Sequence, residues 1–266
     1  MKPYRIIDAH AHIYPDAIAA RASHNTGVFY HMPSRFDGKV STLLALGAAA
    51  GIEHFVVQSV ATMPKQVGDI NRFIAETVRG GGGRFTGLGT LHPDSRDIAG
   101  DIEELLSLGL RGVKLHPDIQ MVAIDDPRMH EIYRLCEGRL PILMHTGDHR
   151  FDYSNPNRMA PVLRRYPGLT VIGAHFGGWS VWEEAVRQLA RYPQLIVDCS
   201  SSLYAMSPEE AGRLIEAYGP HRVLFGTDYP MWEPKVELER FFAIDLSEEE
   251  REAILSENAA RLFGIE

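Results

Sequence analysis

The sequence predicts an α/β fold, a (β/α)8 TIM barrel formed as a single domain over residues 1–266 with a long loop after its first strand. Three observations carry that expectation. Eight short apolar runs alternate with helix-length segments. The length of 266 residues matches the ~250 typical of such a barrel. Polar side chains able to bind metal recur where the apolar runs end.

In chain order the runs are Tyr4–Ile7, His54–Val60, Arg84–Leu91, Gly112–Leu115, Pro141–Met144, Leu169–Gly173, Gln194–Val197 and Arg222–Phe225. Most are almost continuously apolar, as parallel strands covered by helices must be. Asp126-Pro127 places an N-cap before a first-turn proline, and Ser207-Pro208-Glu209-Glu210 adds a capping box to the same device. Ser180-x-x-Glu183 and Ser247-x-x-Glu250 read as two further helix starts. The competing architecture is an open doubly wound sheet, but no Gly-x-Gly-x-x-Gly follows the first run. Gly80–Gly83 lies between a helix and a strand, on the face opposite a barrel's usual site, so it reads as a turn and not as a phosphate loop. Ile13–Asp37 reads as an irregular loop of about 25 residues, long enough to wall or cover a pocket.

Composition narrows the function classes. Hydrophobic residues at 45% and charged residues at 23% exclude wholesale disorder, collagen and coiled coil. With 27 Lys and Arg against 35 Asp and Glu, the net charge of −8 and the lack of a basic run make nucleic acid and anionic lipid poor partners. Two cysteines cannot build a disulfide framework and suit a reducing compartment. Met1–His12 has no apolar signal core, and no apolar stretch reaches the ~20 residues of a membrane helix. The expectation is a cytoplasmic protein acting on a small molecule, with a homodimer as the base-rate assembly.

The 12 histidines are informative by position. His10 and His12 close the first run, His92 the third, Lys114 and His116 the fourth, His145 the fifth and His175 the sixth, with Asp228 just past the eighth. All are C-terminal strand ends, where barrel enzymes build their sites. His10 and His12 have period 2, so both imidazoles project to one side of a strand and can share one ion. Joined by His145, His175 and Asp228, they form an imidazole and carboxylate set for zinc first, with manganese, iron or nickel also suited. His92 and His116 read as pocket walls or local hydrogen bonders, and His54, His130 and His221 as surface residues. Cys136 reads as core, Cys199 as a residue at the pocket mouth, and Trp179 and Trp182 as pocket wall or packing.

The segments Ile7-Asp8-Ala9-His10-Ala11-His12, His145-Thr146-Gly147, His175-Phe176-Gly177-Gly178 and Phe225-Gly226-Thr227-Asp228-Tyr229-Pro230 resemble the amidohydrolase superfamily. More narrowly they resemble its amidohydrolase-2 branch, which includes metal-dependent hydrolases and aminocarboxymuconate semialdehyde decarboxylase. The resemblance implies a TIM barrel with one or two divalent metals. It also implies that His10, His12 and His145 are ligands, that Asp228 is a ligand handling a proton, and that His175 binds a second metal or serves as acid/base. Gly112-Val113-Lys114-Leu115-His116-Pro117 is similar to the dihydroorotase segment in which a carboxylated lysine bridges two metals. Lys114 is therefore a candidate ligand, although one ion is favoured because His116 shares its parity and crowds a bridge.

A divalent ion held by imidazoles and a carboxylate activates water near neutral pH, and Asp228 is placed to carry the proton to a leaving group. The expected activity is hydrolysis of an amide, lactone or other ester. The alternative is non-oxidative decarboxylation of an unsaturated or aromatic acid on the same ligands. An inert metal-binding scaffold would need a disabled site, and every expected position is filled.

Overall fold

In the computed structural model, residues 4–266 are described, so Met1–Pro3 of the amino-terminal reading lie outside the described residues. The strands are β1 (Ile7–His12), β2 (His54–Gln58), β3 (Phe85–Gly87), β4 (Gly89–Thr90), β5 (Val113–Leu115), β6 (Ile142–Met144), β7 (Val171–Gly173), β8 (Leu195–Asp198) and β9 (Val223–Leu224). All neighbours pair in parallel, β1-β2-β3 in one ladder and β4 through β9 in sequence in the other. The third predicted run is divided at Leu88, whose N–H donates to Val57 O at 2.9 Å while Gly89 N–H turns to Gly112 O at 2.9 Å. One run thereby joins the two ladders. At the other seam Ala9 N–H donates to Phe225 O at 2.9 Å, Asp228 N–H to His10 O at 2.8 Å and His12 N–H to Tyr229 O at 2.7 Å. The last strand and the loop after it thus close on β1, giving the barrel.

Gly226 is required at that seam. A Cβ there would stand 2.9 Å from His10 Cβ and 3.3 Å from Ser200 Cβ. Asp8 locks the same contact, accepting from Thr227 N at 2.9 Å and Thr227 Oγ1 at 2.6 Å.

The helices are α1 (Ala19–Tyr30), α2 (Val40–Ala50), α3 (Val67–Gly80), α4 (Ile98–Ser107), α5 (Pro117–Gln120), α6 (Met129–Cys136), α7 (Pro156–Arg165), α8 (Trp182–Leu189), α9 (Pro208–Tyr218), α10 (Pro234–Phe242), α11 (Glu248–Glu252) and α12 (Asn258–Phe263). Their apolar faces pack on the outer side of the strands in one large core that includes Phe55, Ile102, Ile142 and Phe241. A second, smaller core takes Ile7, Val56, Leu143, Ile172 and Leu224 from the strands and seals with Ala259 and Phe263 of α12. None of the helices among the described residues is long and apolar enough to cross a membrane.

Several local expectations change. The first strand runs Ile7–His12 and not Tyr4–Ile7, because its pairing with β2 begins at Ile7–His54. Ile13–Asp37 is not irregular, since α1 occupies its middle. Ser207 and Ser247 do form capping boxes. Ser180 does not: its backbone is left-handed at φ 65°, and its Oγ accepts from His149 N at 3.0 Å. The Asp126-Pro127 start lies in a turn just ahead of α6, with Asp126 accepting from Arg128 N at 2.9 Å. His54 is buried inside β2 against Thr86 Oγ1 at 2.9 Å and is not a surface residue. Cys199 is wholly buried in the outer core, away from the pocket mouth, because the strand before it ends at Asp198, whose side chain turns inward to His10 and leaves its neighbour facing the helices.

Candidate active site

Tautomers follow from the partners. His10 Nδ1 faces the Asp198 carboxylate at 2.9 Å, so Nδ1 carries the proton and Nε2 presents its lone pair. That Nε2 lies 3.2 Å from His12 Nε2, 3.5 Å from Asp228 Oδ1 and 3.1 Å from Lys114 Nζ. His12 Nε2 is also 3.6 Å from Asp228 Oδ1. Donors sharing one ion through ~2.0–2.1 Å bonds stand roughly 3.3 Å apart in a tetrahedron. The two imidazoles and the carboxylate therefore fit a single divalent ion in both spacing and chemistry. Burial, reinforced by the Lys114 ammonium, holds both imidazoles well below the usual histidine range, which leaves them neutral as ligands must be.

Asp228 is held by Ser201 Oγ, which donates to Oδ2 and itself accepts from Trp232 Nε1 at 2.8 Å. Burial raises the Asp228 carboxyl to about 7 against the opposing pull of Ser201 and Lys114. Burial also lowers Lys114 to about 8, although Asp228 and Asp198 favour its charge. Left-handed backbone at His175 (φ 60°), Ser201 (φ 45°) and Asp228 (φ 56°) gathers around this point, and such strain collects where a constellation is imposed by the surrounding fold.

His145 does not join the His10–His12–Asp228 trio. His175 Nδ1 donates to Ser200 O at 2.9 Å, so its Nε2 lone pair faces His145 Nδ1 at 3.1 Å. The remaining nitrogen, His145 Nε2, is buried without a hydrogen-bond partner and lies 3.6 Å from Asp118 Oδ2. His145 also stacks on His116, with ring centroids 4.0 Å apart and planes 7° apart. His116 caps α5 by accepting from Ile119 N at 3.3 Å. His92 is buried and accepts from Asp94 N at 3.2 Å.

Two important side chains, Asp198 and Ser200, do not stand out from the sequence, whereas Tyr30 belongs to the aromatic and polar groups of Ile13–Asp37 that could contact a ligand. Asp198 ends β8 and holds His10; extending the seventh run by one residue would have found it, since it occupies the same C-terminal strand end as the others. Ser200 Oγ donates to Asp198 Oδ1 and lies 3.0 Å from His175 Nδ1, and nothing in the local sequence marks it. Tyr30, the last residue of α1, places its hydroxyl 2.6 Å from His116 Nε2 and 3.4 Å from His145 Nδ1.

His12, Lys114, His116, His145, His175 and Asp228 floor a cavity of about 560 Å³, walled on one side by Ile18, Ala22, Phe29 and Tyr30 of the α1 segment and on another by Ile70 and Phe73 of α3. That volume suits a small-molecule ligand. Trp179 stands at its side, 5.2 Å from the Tyr30 ring, while Trp182 packs on the outer core.

The chain is similar in fold to an uncharacterised TIM-barrel protein of Bordetella bronchiseptica, with 25% identity, 98% of each chain covered and a TM-score of 0.82. It is similar to 5-carboxyvanillate decarboxylase of Sphingomonas paucimobilis at 18% identity, covering 99% of this chain and 100% of that one, with a TM-score of 0.77. A candidate 2-pyrone-4,6-dicarboxylic acid hydrolase of Pseudomonas putida is also similar, at 24% identity, coverage of 100% and 99% and a TM-score of 0.73. No protein of curated function matches the sequence. The amidohydrolase family profile matches residues 7–265, and the chain belongs to that family, in its amidohydrolase-2 branch.

Proposed function

We propose that this protein is a metal-dependent hydrolase cleaving an amide, lactone or other ester of a small molecule. The observation that carries the reading is the convergence of His10 Nε2, His12 Nε2 and Asp228 Oδ1 within 3.2–3.6 Å of one another, with His12 and Asp228 lining the cavity and His10 buried directly behind them. Those three would hold one divalent ion, zinc first and manganese, iron or nickel next. A structural neighbour was crystallised with bound manganese. When bound, the ion supplies Lewis-acid polarisation and water activation at neutral pH.

The protein's own groups do the rest. Asp228 accepts a proton at Oδ1 and returns it to the leaving group, with Ser201 fixing Oδ2. His175, held through Nδ1 by the Ser200 carbonyl, offers Nε2 as a shuttle in partnership with His145 Nδ1. His145 adds to the ion site only by turning away from His175. Lys114 Nζ lies 3.1 Å from His10 Nε2, a contact that would give way when an ion takes that lone pair, and we assign it to orienting an acidic substrate group and not to a two-metal bridge. Tyr30 accepts from His116 Nε2 and helps to exclude water.

Decarboxylation of an aromatic acid is the second reading, favoured by fold neighbours that include 5-carboxyvanillate and 2,6-dihydroxybenzoate decarboxylases. Chelation followed by metal return, with assays for acid release and CO₂ release, tests both. The hydrolase reading expects acid release that disappears with the metal and returns with it. Acid release indifferent to complete metal removal, or CO₂ release alone, would overturn it.

A further inference from the structure

All of the cavity's positive charge lies at its floor. Among the described residues that line it, Lys114 is the one Lys or Arg, fully buried and 3.1 Å from His10 Nε2. The other basic groups in the lining, His12, His116, His145 and His175, share that floor. Above them the wall is largely apolar, formed by Ile18, Ala22, Phe29, Ile70, Phe73 and Ile119; the hydroxyls of Thr26, Tyr30 and Ser59 in the same lining are engaged with Ala22 O, His116 Nε2 and Ile13 O, and none of the wall's polar side chains is a cation. At the rim stand Asn25, Thr62 and the carboxylate of Asp69, whose side chain is 84% exposed.

Basic side chains close by are committed elsewhere. Arg72 pairs with Asp69 at 2.6 Å and with Glu104 at 2.8 Å. Arg150 is bound to Asp148 at 2.7 Å and to Phe29 O at 2.6 Å, and it does not line the cavity. Lys65 is exposed and is likewise not part of the lining.

From this distribution we propose that the cavity selects ligands with one anionic group, seated at the floor, and rejects those with a second anionic group on the body. The proposal rests on the reading of this cavity as the substrate site. A second carboxylate on a one-ring acid would lie against this largely apolar wall, stripped of water and without a cation to pair with. That desolvation is costly, and a longer acid would bring its far carboxylate toward Asp69. An apolar body loses nothing in the same place.

Calorimetric titration of the metal-loaded protein with benzoate and with isophthalate tests this. Benzoate should bind at least ~10-fold more tightly. Ile70→Arg, which puts a cation in the wall, should narrow that ratio at least ~5-fold by tightening isophthalate. Gln66→Arg nearer the rim is the second variant if the first does not fold. Equal or tighter binding of isophthalate, failure of either acid to bind, or an unchanged ratio in the folded arginine variants would overturn the proposal. Preferred binding of benzoate by a protein without metal-dependent turnover would sink the hydrolase reading alone. Turnover of a dianionic ester with tight isophthalate binding would sink the charge selection alone.

Discussion

His10 Nδ1 and Asp198 Oδ2 lie 2.9 Å apart, joining the first strand of the barrel to a strand end 188 residues later. Both side chains are fully buried, so the carboxylate fixes the imidazole's tautomer and aims its free nitrogen at His12 and Asp228. Such outer partners commonly contribute 10–100-fold in metal affinity. Asp198→Asn keeps the shape but weakens the acceptor, and a loss in that range is expected when metal affinity is read by competition with a chromophoric chelator. Unchanged affinity would show that His10 does not depend on Asp198.

Asp228→Asn separates holding from proton transfer. The amide oxygen still faces His10 and His12, while the group that accepts a proton is gone. Metal content should stay near that of the parent, and kcat should fall on the order of 10²-fold or more. Metal stoichiometry and single-turnover rates measured on the same preparation check both parts. A fully loaded variant with normal kcat removes Asp228 from the proton path.

Helix α1 is latched over the cavity by Arg150. Its guanidinium donates to Phe29 O at 2.6 Å, grips Asp148 with two nitrogens at 2.9 and 2.7 Å, and lies 5.1–5.6 Å from the rings of Phe29, Tyr30, Phe151 and Trp179. Cation–π contacts of this kind contribute about 0.5–1 kcal/mol each at exposed sites and more when desolvated. Arg150→Ala should raise amide exchange across Ala19–Tyr30 by about tenfold or more, leave exchange in the strands unchanged and raise KM more than it lowers kcat. Deleting Thr26–Met32, which removes Tyr30, should raise KM further or abolish activity with the barrel still folded. If α1 exchanges as in the parent, the latch has no role.

Glu237 gives a pH signature far from chemistry. It is fully buried on α10, bound through Oε1 to Arg240, with Oε2 lacking a hydrogen-bond partner. Burial raises its carboxyl to about 7, against the pull of Arg240. The unfolded chain releases this proton near ~4.5. The folded state therefore binds more protons between those values, so the contribution is full below pH ~4.5 and lost as pH rises through about 7. Glu237→Gln should reduce the fall in stability between pH 5 and pH 8 by roughly 1–3 kcal/mol. Urea unfolding at both pH values measures this, and identical slopes in parent and variant would refute the assignment.

Much of this molecule is written locally. Parallel strands buried on both faces must be apolar runs, so the eight runs mark the barrel wall, and the histidines and Asp228 beside them mark its C-terminal face. Capping boxes at Ser207 and Ser247 depend only on residues three apart, and both form. Period 2 likewise suffices to bring His10 and His12 together, because a strand places alternate side chains on one side.

What proximity along the chain could not show is decided where distant segments meet. α1 looks irregular because it buries only Ala19, Ser23 and Gly27, leaving a weak apolar stripe; Arg150, on another strand's loop, holds its end in place. His54 and Cys199 carry no local sign of burial, and only the packing of neighbouring strands and helices covers them. Asp198 aims His10, and His175 turns His145 toward itself and away from the His10–His12–Asp228 trio. A hydrogen bond between side chains so far apart in sequence depends on barrel closure at the Ala9–Phe225 and His10–Asp228 seam. Residue type and spacing name the donors, but only the closed ring fixes which lone pair each one presents.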